Sequence, residues 1–327
     1  MPVNGNANIY WEHLNKYQQY ITYGILLHNK SDETVSFRVN KKSAYNSVNV
    51  DKAYATPRLI WYDYFNDKIN PDLTDISNNN EIQIEAGKSR WIYLEEIPLH
   101  PNGYDVIFNG IINLDILNGK SLDCCAFIMK GNGSVSDAET AKTKAAEIKE
   151  DYELNHSSYI RADKSSGDII SGTAKAAMLE NDMGTIDLSK DGKYEFTLTG
   201  YQPPKLNAGE IMTLNRYGEE DLDNALNFSV IYKIHIDGFE GKDDVKAVFK
   251  YNKFTAPAYY EGLHNGIYLV YGIERDGEPI EWDSQTLLGP HYKNNPSECT
   301  LNLDEGEFNL YIIASGMSAL PLTVSFE

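Results

Sequence analysis

Cysteine is scarce in this chain: three residues in 327, two of them adjacent at Cys124 and Cys125, with no C-x-x-C spacing. So few thiols exclude a disulfide framework and a local cysteine zinc site. Cys124 lies in the apolar run Asp123 to Met129, where neighbouring side chains point to opposite faces. Both thiols are therefore expected to be reduced, one of them in the core. Histidine is thinly spread as well. None of His13, His28, His100, His156, His235, His264 and His291 stands two to four residues from another, which disfavours a metal site built on two local ligands. The nucleophile pattern G-x-S-x-G is missing. No apolar run approaches the roughly 18 residues of a membrane-spanning helix. The first residues, MPVNGNANIYWEH, lack a basic region followed by an apolar stretch; a leader removed during maturation would leave the same start. Basic residues are also in deficit, 29 against 48 acidic ones for a net charge of −19, so nucleic-acid phosphates and anionic lipids should be repelled. Neither a nucleic-acid partner nor membrane insertion is expected.

What the chain does contain is β pattern and tyrosine, with 23 Tyr residues that suit strands whose rings pack while their hydroxyls stay wet. A strand-turn-strand pattern occurs at Tyr20 to Val39 and again, more loosely, at Asn227 to Tyr251. The expected fold is mainly β: two tandem antiparallel β-sandwich domains, residues 1–165 and 166–327, divided in the polar run near Ser165 to Gly167. Asn109-Gly110 reads as a turn between two strands, and Asn118-Gly119 between apolar runs as the best local hairpin signal. Arg58 to Phe65 fits a strand or a short helix. One helix is expected from Ser136 to Leu154, where Ser136 and Glu139 match a capping box and Ala138, Ala141, Ala145, Ile148 and Tyr152 form a narrow apolar stripe.

Candidate ligand-binding residues come from aromatic rings beside carboxylates: Trp61 with Asp63, the pair Tyr259 and Tyr260, and Trp282 with Asp283. Rings can stack on the apolar faces of pyranoses while carboxylates accept sugar hydroxyls. Paired carboxylates for glycoside hydrolysis are the enzymatic version of this idea, with Asp63 or Asp283 as acid/base and Trp61 or Trp282 as platform. No organic cofactor or catalytic metal is expected. Calcium is the ion considered, on Asp182, Asp187 and Asp191 or on Asp221, Asp223 and Asn224, although neither set has EF-hand spacing. His235, between Ile234 and Ile236, reads as a solvent-face residue rather than a ligand.

Asn227 to Ile236 (NFSVIYKIHI), Ala314 to Phe326 (ASGMSALPLTVSF) and the strands of Tyr20 to Val39 resemble segments of secreted Gram-positive bacterial proteins that carry a copper amine oxidase N-terminal, or stalk, domain. The chain has no stalk repeat and no copper-binding histidine set, so neither copper nor amine oxidation is carried over. The resemblance implies an extracellular, cell-envelope setting. The sequence reading is thus a non-enzymatic surface protein acting in binding or assembly through sandwich loops and edges, with a surface polysaccharide, a protein or a second copy as partner. A carbohydrate-binding module or carbohydrate-active enzyme is the alternative.

Overall fold

The computed structural model describes residues 2–17, 19–48, 56–66, 81–131, 133–156, 173–174, 178–198, 205–206, 212–214, 220–223, 230–251, 266–276, 278, 280–288, 298–303, 306–314 and 322–327. The chain forms two compact units, Met1–Gly172 and Thr173–Glu327. The boundary expected near Ser165 to Gly167 lies outside the described residues.

The first unit runs β1 (Pro2–Asn4), β2 (Asn6–Asn15), β3 (Ile21–His28), β4 (Val35–Asn46), α1 (Thr56–Phe65), β5 (Ile82–Ile84), β6 (Ser89–Ile97), β7 (Val106–Ile116), β8 (Ser121–Lys130) and α2 (Ala138–Asn155). Its strands form two four-stranded sheets, β1-β8-β3-β6 and β2-β7-β4-β5, paired antiparallel throughout. Those two orders, face to face, are the strand order of an eight-stranded jelly roll. The alternating residues Ile21, Tyr23, Ile25 and Leu27 of β3 meet Phe108, Ile112, Leu114 and Ile116 of β7 in one core.

Three local expectations change. The strand-turn-strand of Tyr20 to Val39 does not pair with itself: β3 lies in one sheet and β4 in the other. Asn118-Gly119 likewise carries the chain from β7 across to β8 in the opposite sheet, not round a hairpin. Alternation marks an inward face in either arrangement, so pattern alone does not choose between pairing and crossing. Finally, Asn109-Gly110 sits inside the continuous strand β7, and the glycine is there because a Cβ would collide with the Trp11 indole.

Both sheets of this unit are covered on the outer face by a helix. Arg58 to Phe65 is helical in α1 and packs over β4 and β7, with the Trp61 ring stacked on Tyr10 of β2 at 5.9 Å. On the other sheet, Tyr152 of α2 meets Phe127 at 5.7 Å and His28 at 5.3 Å, and Trp91 Nε1 donates to the Ala145 carbonyl at 3.2 Å. Of the expected α2 stripe, Ala145 and Tyr152 are buried. The cap differs from the expected box. Asp137, not Ser136, accepts from Thr140 N at 3.1 Å, while Ser136 Oγ donates to Glu96.

The second unit contains β9 (Thr173–Ala174), β10 (Met178–Asp182), β11 (Thr185–Asp187), β12 (Tyr194–Leu198), β13 (Lys205–Leu206), β14 (Met212–Leu214), β15 (Glu220–Asp223), β16 (Ile231–Ile236), β17 (Gly238–Glu240), β18 (Val245–Tyr251), β19 (Gly266–Glu274), β20 (Glu281–Leu288), β21 (Glu298–Leu303), β22 (Phe308–Ala314) and β23 (Leu322–Phe326). Two five-stranded sheets, β10-β16-β22-β19-β20 and β13-β12-β23-β18-β21, enclose Tyr232, Ile234, Ile236, Phe249, Leu310, Ile312 and Val324. Smaller sheets, β11-β17 and β15-β14-β9, complete it. Three pairings are parallel, β10 with β16, β11 with β17 and β12 with β13; the large sheets are otherwise antiparallel. The second strand-turn-strand pattern again crosses between sheets, β16 to β18.

The helix contacts make a measurable difference between near neighbours. Tyr152→Ala should destabilise the first unit by about 3 kcal/mol, because it removes a buried ring from contact with His28, Phe127 and His156 and a hydroxyl from Cys125. Leu154→Ala, at a side chain that is 81% exposed, should stay within about 0.5 kcal/mol. Urea unfolding of both variants checks this; equal effects would mean that α2 is not held through Tyr152.

Candidate functional site

In β19, Leu269, Tyr271 and Ile273 belong to the core, so Val270, Gly272 and Glu274 take the outer face. The same alternation in β22 turns Asn309 and Tyr311 outward, and in β16 Lys233 and His235. Register then sets Trp282 of β20 opposite Gly272, and Gly272 opposite Tyr311. A Cβ at Gly272 would fall 2.8 Å from the Trp282 ring, so the absence of a side chain is what lets the indole lie down across the sheet. The Trp282 and Tyr311 rings are 5.7 Å apart.

Around these rings runs a chain of hydrogen bonds. Tyr311 Oη and Asn309 Nδ2 each donate to Glu274 Oε2 at 2.9 Å. Asn309 Oδ1 is thereby turned toward His235 Nδ1, 3.2 Å away, while His235 Nε2 faces Asp237 Oδ1 at 3.1 Å. Both ring nitrogens thus face acceptors, an arrangement that only the doubly protonated imidazolium fully satisfies. His235 is accordingly held above its ordinary value of 6.5, through Asn309 first, then Asp237, with Asp182 and Glu307 adding charge. Burial and the Glu274 carboxylate push the Tyr311 hydroxyl up, so it remains a donor. Lys233 pairs with Glu180 at 3.6 Å on the same face. The result is a half-buried aromatic floor beside a fixed carboxylate acceptor and a titratable donor.

The residues expected from sequence fall in several places. Trp282 is on this face, but Asp283 points to the opposite one, where its Oδ2 accepts from Tyr271 at 2.9 Å. Adjacent residues of a strand do not share a face, so Trp282 and Asp283 are not one site; the carboxylate beside Trp282 is Glu274. Trp61 is fully buried between Tyr10 and Phe65 and is a core ring, not an exposed platform. Asp63 accepts from the Tyr45 hydroxyl and fastens α1 to its sheet. Tyr259 and Tyr260 lie outside the described residues. Glu274, Asn309 and Tyr311 were missed because their grouping depends on register across three strands. A signal was present in the isolated Gly272, which marks a close approach inside an apolar strand.

Among the described residues no group of three or more His, Cys, Asp or Glu could hold a metal ion. Asp182 and Asp187 accept from Gly184 N at 3.0 Å and Ser189 N at 2.8 Å, shaping their own turns. Asn224 lies outside the described residues. Cys124, Cys125 and Cys299 are free thiols, and Cys124 is buried, which raises its pKa to about 12. Among the described residues no helix is long and apolar enough to cross a membrane.

No protein-family model and no curated protein matches the chain. Among solved structures, the chain is similar to the CUB1-EGF-CUB2 domain of human MASP-1/3 at 12% identity, covering 98% of this chain and 92% of that one, with a TM-score of 0.22. A 7S globulin of Momordica charantia is 10% identical over 98% and 72%, with a TM-score of 0.16. The CBM22-1-CBM22-2 tandem of Paenibacillus barcinonensis Xyn10C is 8% identical over 94% and 77%, with a TM-score of 0.13. Superpositions this loose equate no residue of this chain with a residue of theirs, and they support no specific function.

The His235 arrangement has a definite sign. With the folded pKa raised, His235 contributes stability that is fully present below pH 6.5 and lost as pH rises through the folded value. Asn309→Ala should bring the pKa back toward 6.5, read by NMR titration of the ring protons. A titration unchanged by the substitution would remove Asn309 as the cause.

Proposed function

We propose that this chain is a non-enzymatic binding protein of the extracellular space or cell envelope, and that its second unit recognises a surface polysaccharide. The observation that carries the reading is the Trp282 indole laid over Gly272 against Tyr311, with Glu274 fixed beside it. A partly exposed indole lying flat on the sheet suits the apolar face of a pyranose, and a carboxylate held in place suits its hydroxyls.

Binding is favoured over hydrolysis by how the carboxylates are placed. Asn309 Nδ2 and Tyr311 Oη both donate to Glu274 Oε2, which holds it as a fixed acceptor. A glycosidase needs two carboxylates flanking the scissile bond, and Asp283 faces the other side of the sheet, against Tyr271. The glycan is also expected to be neutral rather than anionic. Glu274 sits at the Tyr311 hydroxyl, Asp237 and Glu307 face His235 on the same sheet face, and the net charge of −19 repels negative ligands at longer range. The extracellular setting rests on the resemblance to secreted Gram-positive proteins.

Binding of neutral cell-wall polysaccharides, followed by calorimetry and by thermal melting, tests the proposal. Trp282→Ala should weaken binding about thirtyfold, about 2 kcal/mol, while melting of the free protein changes little. Saturable binding that survives the substitution would place the site elsewhere. A panel of glycans that all fail to bind would favour a protein partner or self-association through sheet edges.

A further inference from the structure

A second group of polar side chains lies under α1 and takes no part in the Trp282 face. Outward-pointing residues of β7 include Asn109 and Ile111, since Phe108 and Ile112 belong to the core. Asn109 stands in register between Glu12 of β2 and Tyr45 of β4, and Ile111 between Tyr10 and Ser43. Above them sits α1, held by the Tyr10–Trp61 stack, by the Tyr45 hydroxyl on Asp63, and by Tyr64 Oη donating to Asn8 Oδ1 at 2.9 Å.

Among the buried polar atoms of this layer with no hydrogen-bond partner are both ends of the Asn109 amide, the Ser43 hydroxyl and the Trp61 indole N–H. All three residues are at most 1% exposed. Their neighbours are engaged elsewhere, because Tyr10 Oη donates to Glu12 at 2.7 Å and Tyr45 donates to Asp63. Buried polar groups are almost always satisfied, so an amide unmatched at both ends, beside an unmatched hydroxyl and indole, calls for a physical reason. The chemistry of the set is specific. It offers donors and acceptors together, and burial raises the Glu12 carboxyl to about 7, so this carboxyl holds its proton far more readily than an exposed one. Hydroxyl groups, which donate and accept at once, match the amide and the serine, and the Ile111 side chain and Tyr10 ring suit C–H surface.

We propose that the layer between α1 and the β2-β7-β4-β5 sheet is a binding site for a small neutral polyol, held by the Asn109 amide, the Ser43 hydroxyl and the Trp61 indole. It lies in the first unit and is independent of the polysaccharide reading of the second. Titration of the full chain with glycerol, followed by 15N NMR, tests it. The Trp61 indole signal, assigned with Trp61→Phe, and the Asn109 side-chain amide should shift saturably, while the indoles of Trp91 and Trp282 stay in place. Asn109→Leu should reduce the affinity at least tenfold. Without polyol the same substitution should be neutral or stabilising in thermal melting, since it removes an unmatched buried amide. If Asn109→Leu does not fold, Ser43→Ala provides the second variant, with the same loss of affinity expected. Uniform, unsaturable shifts of all indoles would overturn the proposal. So would water cross-peaks at Asn109 that glycerol leaves unchanged, because the groups would then hold internal water alone.

Discussion

Burial of the central strands on both faces is the constraint from which the first unit follows. β3 is buried along its whole length and β7 from Val106 to Leu114. A strand with no wet face needs a layer on each side, and a sandwich supplies only one. The two helices provide the other. α1 closes the sheet that carries β7, and α2 closes the sheet that carries β3, so that a jelly roll becomes four layers. The second unit has similar inner alternation, and the outer face of β10-β16-β22-β19-β20 carries Trp282, Tyr311 and Glu274 together.

One polar device recurs across both units: a tyrosine ring packed in an apolar layer whose hydroxyl ends on a carboxylate. Tyr10 with Glu12, Tyr45 with Asp63, Tyr93 with Glu95, Tyr271 with Asp283 and Tyr311 with Glu274 are all of this kind. Burial and the neighbouring carboxylate both oppose ionisation of Tyr45, Tyr93, Tyr271 and Tyr311, so these hydroxyls stay donors. Such pairs give part of the acidic composition a structural role beyond solubility. In α1 the pair docks a helix; on the outer face of β19 and β22 it fixes the Glu274 carboxylate beside Asn309.

The parts of the fold legible from sequence are those set by nearest neighbours along the chain. Most strands and the α2 helix could be read this way, because period-two alternation and an Ala, Lys and Glu-rich stretch are local properties. β2 escaped notice, its Asn-rich outer positions obscuring the inward run of Ile9, Trp11 and His13. So did β20, whose Glu281, Asp283, Ser284 and Gln285 interrupt any apolar alternation. At the candidate sites the errors have a common origin. Asn109-Gly110 looked like a turn, yet the glycine makes room for Trp11 and the asparagine is a buried polar group within a strand. Trp61 looked like an exposed ring because its neighbours Tyr62 and Asp63 are polar, whereas helical spacing sends it inward against Tyr10.

By itself the sequence determined that the chain is β-rich, which residues alternate inward, where α2 forms, and that the surface is strongly acidic. Each of these depends on side-chain chemistry within a few residues. Only the tertiary structure decided that Tyr20 to Val39 and Asn227 to Tyr251 span between sheets instead of forming hairpins, because an inward face is the same whether the partner lies beside the strand or across the core. It also decided that Trp282 keeps company with Glu274, Asn309 and Tyr311, not with Asp283. Register brings residues from distant strands to one face, while the pleat drives immediate neighbours apart.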